Sequence, residues 1–233
     1  GFHQKQNLVN LLKARFGSYP LRRIDTRVLE QYQSERLQAG SSRRGKGNAP
    51  ATINRHIACI KHMMNKAVDW NLVEEDALKR VRRVKMLREN NQRLRYLSIE
   101  EAHKLIDACN PHLKPIVTFA LHTGCRKGEI LKLKWEDVDL RHGFIYLQDT
   151  KNGEKRSVPI SPTLRETLSR LIRRVDVPHV FIDAEGKPYR NVQKSFNMAC
   201  KRVGIRDFRF HDLRHTFCSQ LVMAGVDIST VGK

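Results

Sequence analysis

The sequence predicts a mainly α-helical protein in two parts: a helical N-terminal part, and a C-terminal α+β part with a small antiparallel sheet. Apolar residues recur at helical spacing through most of the chain. The clearest β-rich segments form one pair, residues 143–148 and 156–160, separated by an Asn-Gly turn that is typical of a hairpin. A basic, polar stretch at residues 91–95, preceded by further basic residues from Lys79 onward, separates the two parts.

The N-terminal part contains three helical patterns. Leu8, Leu11 and Leu12 have helical spacing, and Asp25 is placed to cap a helix over residues 27–38. A third helix, ending near Trp70, is predicted by apolar residues at steps of four, three, four and three. These residues are Ile53, Ile57, Ile60, Met64 and Ala67.

The C-terminal part combines helices with the predicted hairpin. Ser98 and Glu101 form a capping box for the first helix, and a second helix, PIVTFALH, ends at Gly124. The segment CRKGEILKLKWEDV, residues 125–138, predicts a further helix. After the hairpin, Ser161-Pro162 opens a helix over residues 163–174, and the following VFI is strand-like.

Charge is the strongest indication of a partner. The chain has 44 Lys and Arg against 24 Asp and Glu, a net charge of +20 and a pI of about 10.2, and residues 1–95 hold 21 of the basic residues. Such an excess favours a polyanionic partner, and nucleic acid ranks above a membrane surface because no basic helix has an apolar Trp/Phe/Leu face. Candidate DNA contacts are Arg43, Arg44, Lys46, Asn54, Arg55 and Lys61. A merely solvated helix face is the alternative for the last three.

Compartment and completeness follow from smaller features. The sequence has no apolar run of 18 residues and no signal-peptide pattern, which argues against a membrane-spanning protein. The five cysteines are scattered, as expected of reduced thiols in the cytosol. We expect the chain to be a fragment, because it begins at Gly1 rather than Met.

Four basic side chains suit chemistry on a phosphodiester, because forked arginines match phosphate oxygens and a proton donor must serve the leaving oxygen. They are Arg126 in TGCRKGEI, Lys151 in DTKNGE, and His211 with Arg214 in HDLRH. Each has another interpretation. Arg126 could form a surface ion pair with Glu129, and Lys151 could be an ordinary turn lysine. His211 and His215 have the HxxxH spacing of a zinc site, although no third ligand is evident.

Together these motifs resemble the tyrosine recombinase (phage integrase) family. The resemblance rests on TGCRKGEILKLKWEDVDL, the lysine-bearing hairpin, and HDLRHTFCSQLVMAGVDISTV. ATINRHIACIKHMMNKAVDW is also similar to the last helices of that family's core-binding domain, and RLRYLSIEEAHKLIDA to the opening of its catalytic domain. The resemblance implies a fold of the DNA breaking-rejoining type. A helical, SAM-like core-binding domain would occupy residues 1–90, a linker 91–95, and a truncated α+β catalytic domain 96–233.

The resemblance also implies roles for individual residues. Arg126 and Arg214 would hold the scissile phosphate, Lys151 would protonate the 5′-hydroxyl leaving group, and His211 would assist proton transfer at the nucleophile. Glu129 would support the first arginine, and His215 would be structural. No cofactor, metal, membrane or small-molecule substrate is implied. The partner would be double-stranded DNA in a bacterial or phage-infected cytoplasm, bound by a homotetramer of the complete enzyme.

Two departures from the family pattern affect these expectations. NLVEEDALK stands where the family often has Asn-Pro, and the family places a further His or Trp, then the tyrosine nucleophile, beyond the residues present after Arg214. The five tyrosines of this chain all precede HDLRH, so we expect core or surface roles for them. The chain is therefore expected to bind DNA without cleaving it. The alternatives are a catalytically inactive DNA-binding regulator on the same fold and a metal-dependent nuclease.

Overall fold

The chain forms two compact units, Gly1–Gln92 and Arg93–Lys233. The computed structural model describes residues 2–39, 47–90, 95–147 and 156–227. The division between the units falls within the predicted linker at residues 91–95, of which only Arg95 lies in the described part. Among the described residues, no helix has the length and apolar character needed to span a membrane.

The described part of the first unit is helical. It contains α1 (Phe2–Phe16), α2 (Thr26–Gln38), α3 (Pro50–Asp69) and α4 (Glu75–Arg82), with a short 3-10 turn at Leu21–Arg23. The five apolar residues predicted to share one face of α3 are all buried, which confirms that periodicity. Asp25 caps α2 as predicted, since its carboxylate accepts a hydrogen bond from the Val28 N–H at 2.9 Å.

Side chains of α3 hold the backbone of residues 83–90, which we call the basic strap. The Asn54 amide forms two hydrogen bonds with the Leu87 backbone, donating to its carbonyl at 2.9 Å and accepting from its N–H at 2.8 Å. The Lys61 ammonium donates to the Val84 carbonyl at 2.7 Å. Beyond Val84 the strap is neither helix nor strand, and these side chains supply partners for its backbone.

The second unit combines helices with a three-stranded antiparallel sheet of order β1-β2-β3. Its helices are α5 (Ile99–Ala108), α6 (Lys114–Thr123), α7 (Lys127–Lys132), α8 (Pro162–Ser169), α9 (Gln193–Arg202) and α10 (Asp212–Met223). Its strands are β1 (Val138–Asp139), β2 (Phe144–Leu147) and β3 (Arg156–Pro159), and a 3-10 turn covers Trp135–Asp137. The predicted pairing of β2 with β3 is confirmed, with Ile145 opposite Val158 and Leu147 opposite Arg156. The hairpin tip between them lies outside the described residues.

Local signals placed several boundaries correctly. Ser98 and Glu101 form the predicted capping box of α5, and Ser161 caps α8 through a bond from the Leu164 N–H. Gly124, in the left-handed conformation, ends α6 as predicted. Helix α6 is the centre of this unit, since every residue from Ile116 to Leu121 is buried.

Two predicted helices are shorter than expected. The segment 125–138 was predicted as one helix, but α7 ends at Lys132 and the chain continues through the 3-10 turn into β1. The cause is a distant segment: the Trp135 N–H donates to the Pro178 carbonyl at 2.8 Å, and Lys134 forms an isolated β-bridge with His179. The helix predicted to reach residue 174 ends at Ser169.

Candidate active site

The turn after α6 brings the beginning of α7 against α10. Gly124 has φ of +61°, and a Cβ atom there would lie 2.4 Å from Cδ1 of Phe217 in α10. Only glycine meets both demands without strain, the left-handed backbone and the close approach of a ring. The Gly124 carbonyl in turn accepts a hydrogen bond from Arg214 Nη1 at 2.6 Å. Arg214 is thus bonded to a residue that lies two positions before Arg126 in the chain.

Arg126 is fixed by Glu129, one turn into α7. Its Nη1 donates to Glu129 Oε1 at 2.8 Å, and its backbone N–H donates to Oε2 at 2.8 Å. The Glu129 side chain is 9% exposed, whereas that of Arg126 is 39% exposed and faces solvent in part. The predicted pair is therefore present, and its geometry holds the guanidinium in place while leaving it accessible to a ligand.

Arg156, which no sequence pattern had singled out, binds the same carboxylate. Its Nη2 donates to Glu129 Oε2 at 2.9 Å and lies 3.9 Å from the Cys125 sulfur. Strand periodicity could have indicated this position, because Arg156 lies opposite the buried Leu147 and shares its face with Val158. Arg156 and Arg214 both line one cleft of about 1140 Å³.

The electrostatics of Glu129 follow from these neighbours. Burial by itself raises the pKa of Glu129, but the hydrogen bonds from Arg126 and the charges of Arg156 and Arg126 outweigh burial, so the pKa lies below its ordinary value. The carboxylate is ionised at neutral pH. Two arginines bound to one carboxylate, with Arg214 at the adjoining turn, leave an excess positive charge that suits an anionic ligand.

The motif HDLRHTF separates into buried and exposed positions on α10. Leu213 is fully buried, and the Asp212 carboxylate, 8% exposed, accepts the Arg209 N–H at 2.7 Å. The Thr216 hydroxyl is also buried, and accepts the Leu97 N–H at 3.1 Å. These residues anchor the helix, while three others, His211, Arg214 and His215, lie on its accessible side.

His211 is held in a cationic environment at the start of α10. Its ring lies 5.1 Å from that of His215, nearly perpendicular to it. Partial burial, followed by the positive charges of His215 and Arg214 and, more weakly, Arg126, lowers the pKa of His211 below its ordinary value. A neutral imidazole at pH 7 can accept a proton, which is the state that a general base requires.

Four candidate residues lie outside the described part of the chain. They are Lys151, the proposed proton donor, and the basic loop residues Arg43, Arg44 and Lys46. The last described pair of the hairpin is Leu147 with Arg156, so Lys151 belongs to the segment that joins them.

The predicted basic face of α3 needs a correction. Arg55 is exposed, as expected, but Asn54 is 8% exposed and its amide binds the strap and the Glu89 carboxylate, the latter at 2.6 Å. Lys61 is half-buried, and its ammonium binds the Val84 carbonyl. The outward placement of Asn54 was wrong, because helical spacing could not show that a later segment covers this side of α3. The strap itself presents exposed Arg83, Lys85 and Arg88.

The zinc interpretation gains no third ligand. In the described part of the chain, no three His, Cys, Asp or Glu side chains cluster closely enough to hold a metal ion. All five cysteines lie in this part and have free thiols.

The architecture defines the fold class. The fold is that of the tyrosine recombinases. The structure is similar to that of the Tn1549 transposon integrase in complex with circular intermediate DNA, at a TM-score of 0.79 and 17% identity. The match covers 98% of this chain and 83% of the transposon integrase chain. A lambda integrase tetramer bound to a Holliday junction is also similar, at a TM-score of 0.75 and 19% identity, and the match covers 97% of this chain and 68% of the lambda integrase chain.

Residues 95–233, more than half of the chain, match the phage integrase family, and the chain belongs to that family. It is 32% identical over 200 residues to the integrase of Salmonella phage P22, which corresponds to 78% of this chain and 50% of the phage protein. The chain thus spans about half the length of the curated relatives it matches.

Proposed function

We propose that these residues belong to a tyrosine-type site-specific recombinase that cuts and rejoins double-stranded DNA. The observation that carries the proposal is that Arg214 bonds to the Gly124 carbonyl, two residues before Arg126, whose guanidinium is held by Glu129. Two accessible guanidiniums on separate helices can each donate to one non-bridging oxygen of a phosphodiester, where charge grows in the transition state. The similarity to a phage integrase and to a shufflon-specific DNA recombinase supports the same function.

In the proposed reaction a tyrosine hydroxyl attacks the scissile phosphorus. The new O–P bond forms as the bond to the 5′ oxygen breaks, which leaves a 3′-phosphotyrosine and a free 5′-hydroxyl. His211 takes the proton of the nucleophile, and Lys151 supplies the proton of the leaving oxygen. Because the bond energy is kept in the phosphotyrosine, the reverse attack by a 5′-hydroxyl rejoins the strand without a nucleotide cofactor. His215 packs against His211 and supports its orientation.

We propose that the nucleophile is a tyrosine of the gene product outside residues 1–233. The placement of three of the described tyrosines supports this. Tyr32 is buried and bonded to His56 at 2.8 Å, and Tyr189 stacks on His112. Tyr146 lies opposite Ser157 on the exposed side of the β2–β3 pair, whereas Arg156 lies on the buried side.

The proposed DNA contacts of the first unit are basic, and those that the structure describes are exposed. Arg55 on α3 and the strap residues Arg83, Lys85 and Arg88 are exposed, and the loop residues Arg43, Arg44 and Lys46 add to the charge in sequence. Each phosphate neutralised releases condensed counterions, so binding should weaken steeply as salt is raised. We further propose that strand exchange takes place on a homotetramer of the complete protein, as the tetrameric state of the lambda integrase neighbour suggests.

A suicide substrate tests the proposal. The complete gene product is incubated with a nicked duplex target from which the cleaved strand diffuses away, and the protein is then denatured. We expect a covalent protein–DNA adduct that is lost in Arg214→Ala, because one phosphate oxygen loses its guanidinium, while DNA binding persists. Arg174→Ala, which removes an exposed arginine paired with Asp176, is the control and should form adducts normally.

The outcomes separate the candidate functions. DNA binding without any adduct from the parent protein indicates a catalytically inactive DNA-binding regulator on this fold and refutes the recombinase proposal. Adduct formation by Arg214→Ala at the parental rate refutes the role of that arginine. Cleavage that stops on addition of EDTA indicates a metal-dependent nuclease.

A further inference from the structure

Arg156 is an arginine of the second unit whose position is not explained by packing alone. Its side chain is 19% exposed, and its Nε atom is enclosed without a hydrogen-bond partner in the described part of the chain. A buried donor left unpaired in a native protein calls for an explanation, because its desolvation is not compensated. An apolar residue would fill a strand position beside Leu147 and Val158 more simply.

The explanation lies in the way three donors share Glu129. Oε1 accepts from Arg126 Nη1, while Oε2 accepts from both the Arg126 N–H and Arg156 Nη2, all at 2.8–2.9 Å. The terminal torsion of a glutamate side chain is broad, so a carboxylate held from one side only can rotate. The Arg126 N–H holds Oε2 from the start of α7, and Arg156 holds the same oxygen from β3. This second bond restricts the carboxylate plane, and with it the direction in which Oε1 receives the Arg126 guanidinium.

Arg156 also stands at the base of the hairpin that carries Lys151. It is the first residue of β3, it lies opposite Leu147, and the segment 148–155 joins the two. Its bond to Glu129 therefore connects the end of this strand directly to the start of α7. The base of the hairpin and the Arg126 site are linked through one side chain.

We infer that Arg156 is a positioning residue, which holds Glu129 and through it orients Arg126 toward the ligand. The catalytic consequence of this inference rests on the proposed function. Arg156 is not assigned a bond to DNA, since its Nη2 is committed to Glu129 and its Nε is enclosed. A misplacement of Arg126 by an ångström would reduce the rate of the chemical step by about 100-fold.

The pH dependence provides a signature that a purely structural role lacks. Glu129 is faced by Arg126 from the start of α7 and by Arg156 from β3, with the Cys125 thiol beside Arg156 and Arg214 at the adjoining Gly124 carbonyl. Removing Arg156 removes one of the charges that lower the pKa of Glu129. The folded-state pKa then rises, so Glu129 becomes protonated and releases Arg126 at a higher pH than in the parent protein.

The first experiment uses residues 1–233 and needs no activity. The Arg126 side-chain Nε–H signal is assigned in ¹H–¹⁵N spectra from its disappearance in Arg126→Lys, and is then followed in three variants. We expect Arg156→Gln to shift or broaden it, Arg156→Lys to do so less because the charge is kept, and Arg174→Gln to leave it unchanged. Arg174 makes a comparable two-bond pair with Asp176 away from Glu129. An unchanged Arg126 signal in Arg156→Gln overturns the inference.

The second experiment measures DNA binding and suicide-substrate adducts with the complete gene product as pH is varied. Arg156→Gln should bind DNA like the parent, form adducts about 100-fold more slowly, and lose activity at a higher pH on the acid side. Arg156→Lys should recover part of the rate. If the loss instead follows unfolding of the second unit with an unchanged pH profile, Arg156 merely supports folding and the inference is wrong. If the parent itself forms no adduct, the proposed function fails, and the Arg126 signal still decides the positioning role.

Discussion

Replacing Gly124 with alanine tests the packing that unites α6, α7 and α10. Two costs arise there. A non-glycine residue at φ of +61° is strained by roughly 1–2 kcal/mol, and the added methyl, 2.4 Å from Phe217 Cδ1, overpacks the site by about 1–3 kcal/mol. Alanine also restricts the unfolded chain, which offsets about 0.4–1 kcal/mol. We expect Gly124→Ala to destabilise the second unit by about 2–4 kcal/mol.

Gly204 provides the matched control. It has φ of +70°, but apart from its chain neighbours no atom of the described residues lies within 4 Å of the position that a Cβ would occupy, so Gly204→Ala incurs the backbone strain without the clash. Its expected cost is about 0.5–1.5 kcal/mol. Combining Gly124→Ala with Phe217→Ala should recover about 1–3 kcal/mol relative to the sum of the single effects, since the double variant removes the clashing ring.

Urea unfolding can follow the second unit alone. Trp135 is buried in that unit, whereas Trp70 in the first unit is 67% exposed, so a Trp70→Phe background leaves Trp135 fluorescence as the reporter. The midpoint and slope give the free energy of unfolding for each variant. Equal destabilisation by Gly124→Ala and Gly204→Ala, or strict additivity with Phe217→Ala, would refute the proposed close packing at Gly124.

Two further predictions concern the strap and the histidine. Asn54→Ala should destabilise the first unit by about 1–3 kcal/mol, because both Leu87 backbone groups lose a partner. Urea unfolding followed by Trp70 fluorescence measures this loss, and Lys66→Ala, at an exposed position, serves as the control. A loss of DNA affinity at unchanged stability would contradict a structural role for Asn54. Adduct formation should fall as the pH drops through the lowered pKa of His211, where the imidazole gains a proton, and His211→Gln should remove this titration and leave only the loss of activity that protonation of Glu129 causes. Because the unfolded chain binds that proton more tightly, acidification through about 6.5 should also reduce stability. A parental pH profile in His211→Gln would exclude His211 as the titrating group.

Much of the fold could be predicted because it depends on local chemistry. The apolar face of α3 follows from 3.6-residue periodicity, and the caps at Asp25, Ser98 and Ser161 depend on atoms three residues away. The hairpin pairing likewise follows from the alternating pattern of two segments on either side of an Asn-Gly pair. The early end of α7 could not be predicted, because the Pro178 carbonyl that competes for Trp135 lies more than forty residues along the chain.

For the candidate site, the sequence by itself determined the chemical types: arginines, a histidine pair and a supporting carboxylate in motifs that carry a family resemblance. Only the tertiary structure decided how they combine. It placed Arg214 on the Gly124 carbonyl, added Arg156 to Glu129, and turned Asn54 from a candidate DNA contact into the anchor of the strap. The physical reason is that hydrogen bonds between distant segments depend on where packing brings the backbone, and no periodicity within one segment records the position of another.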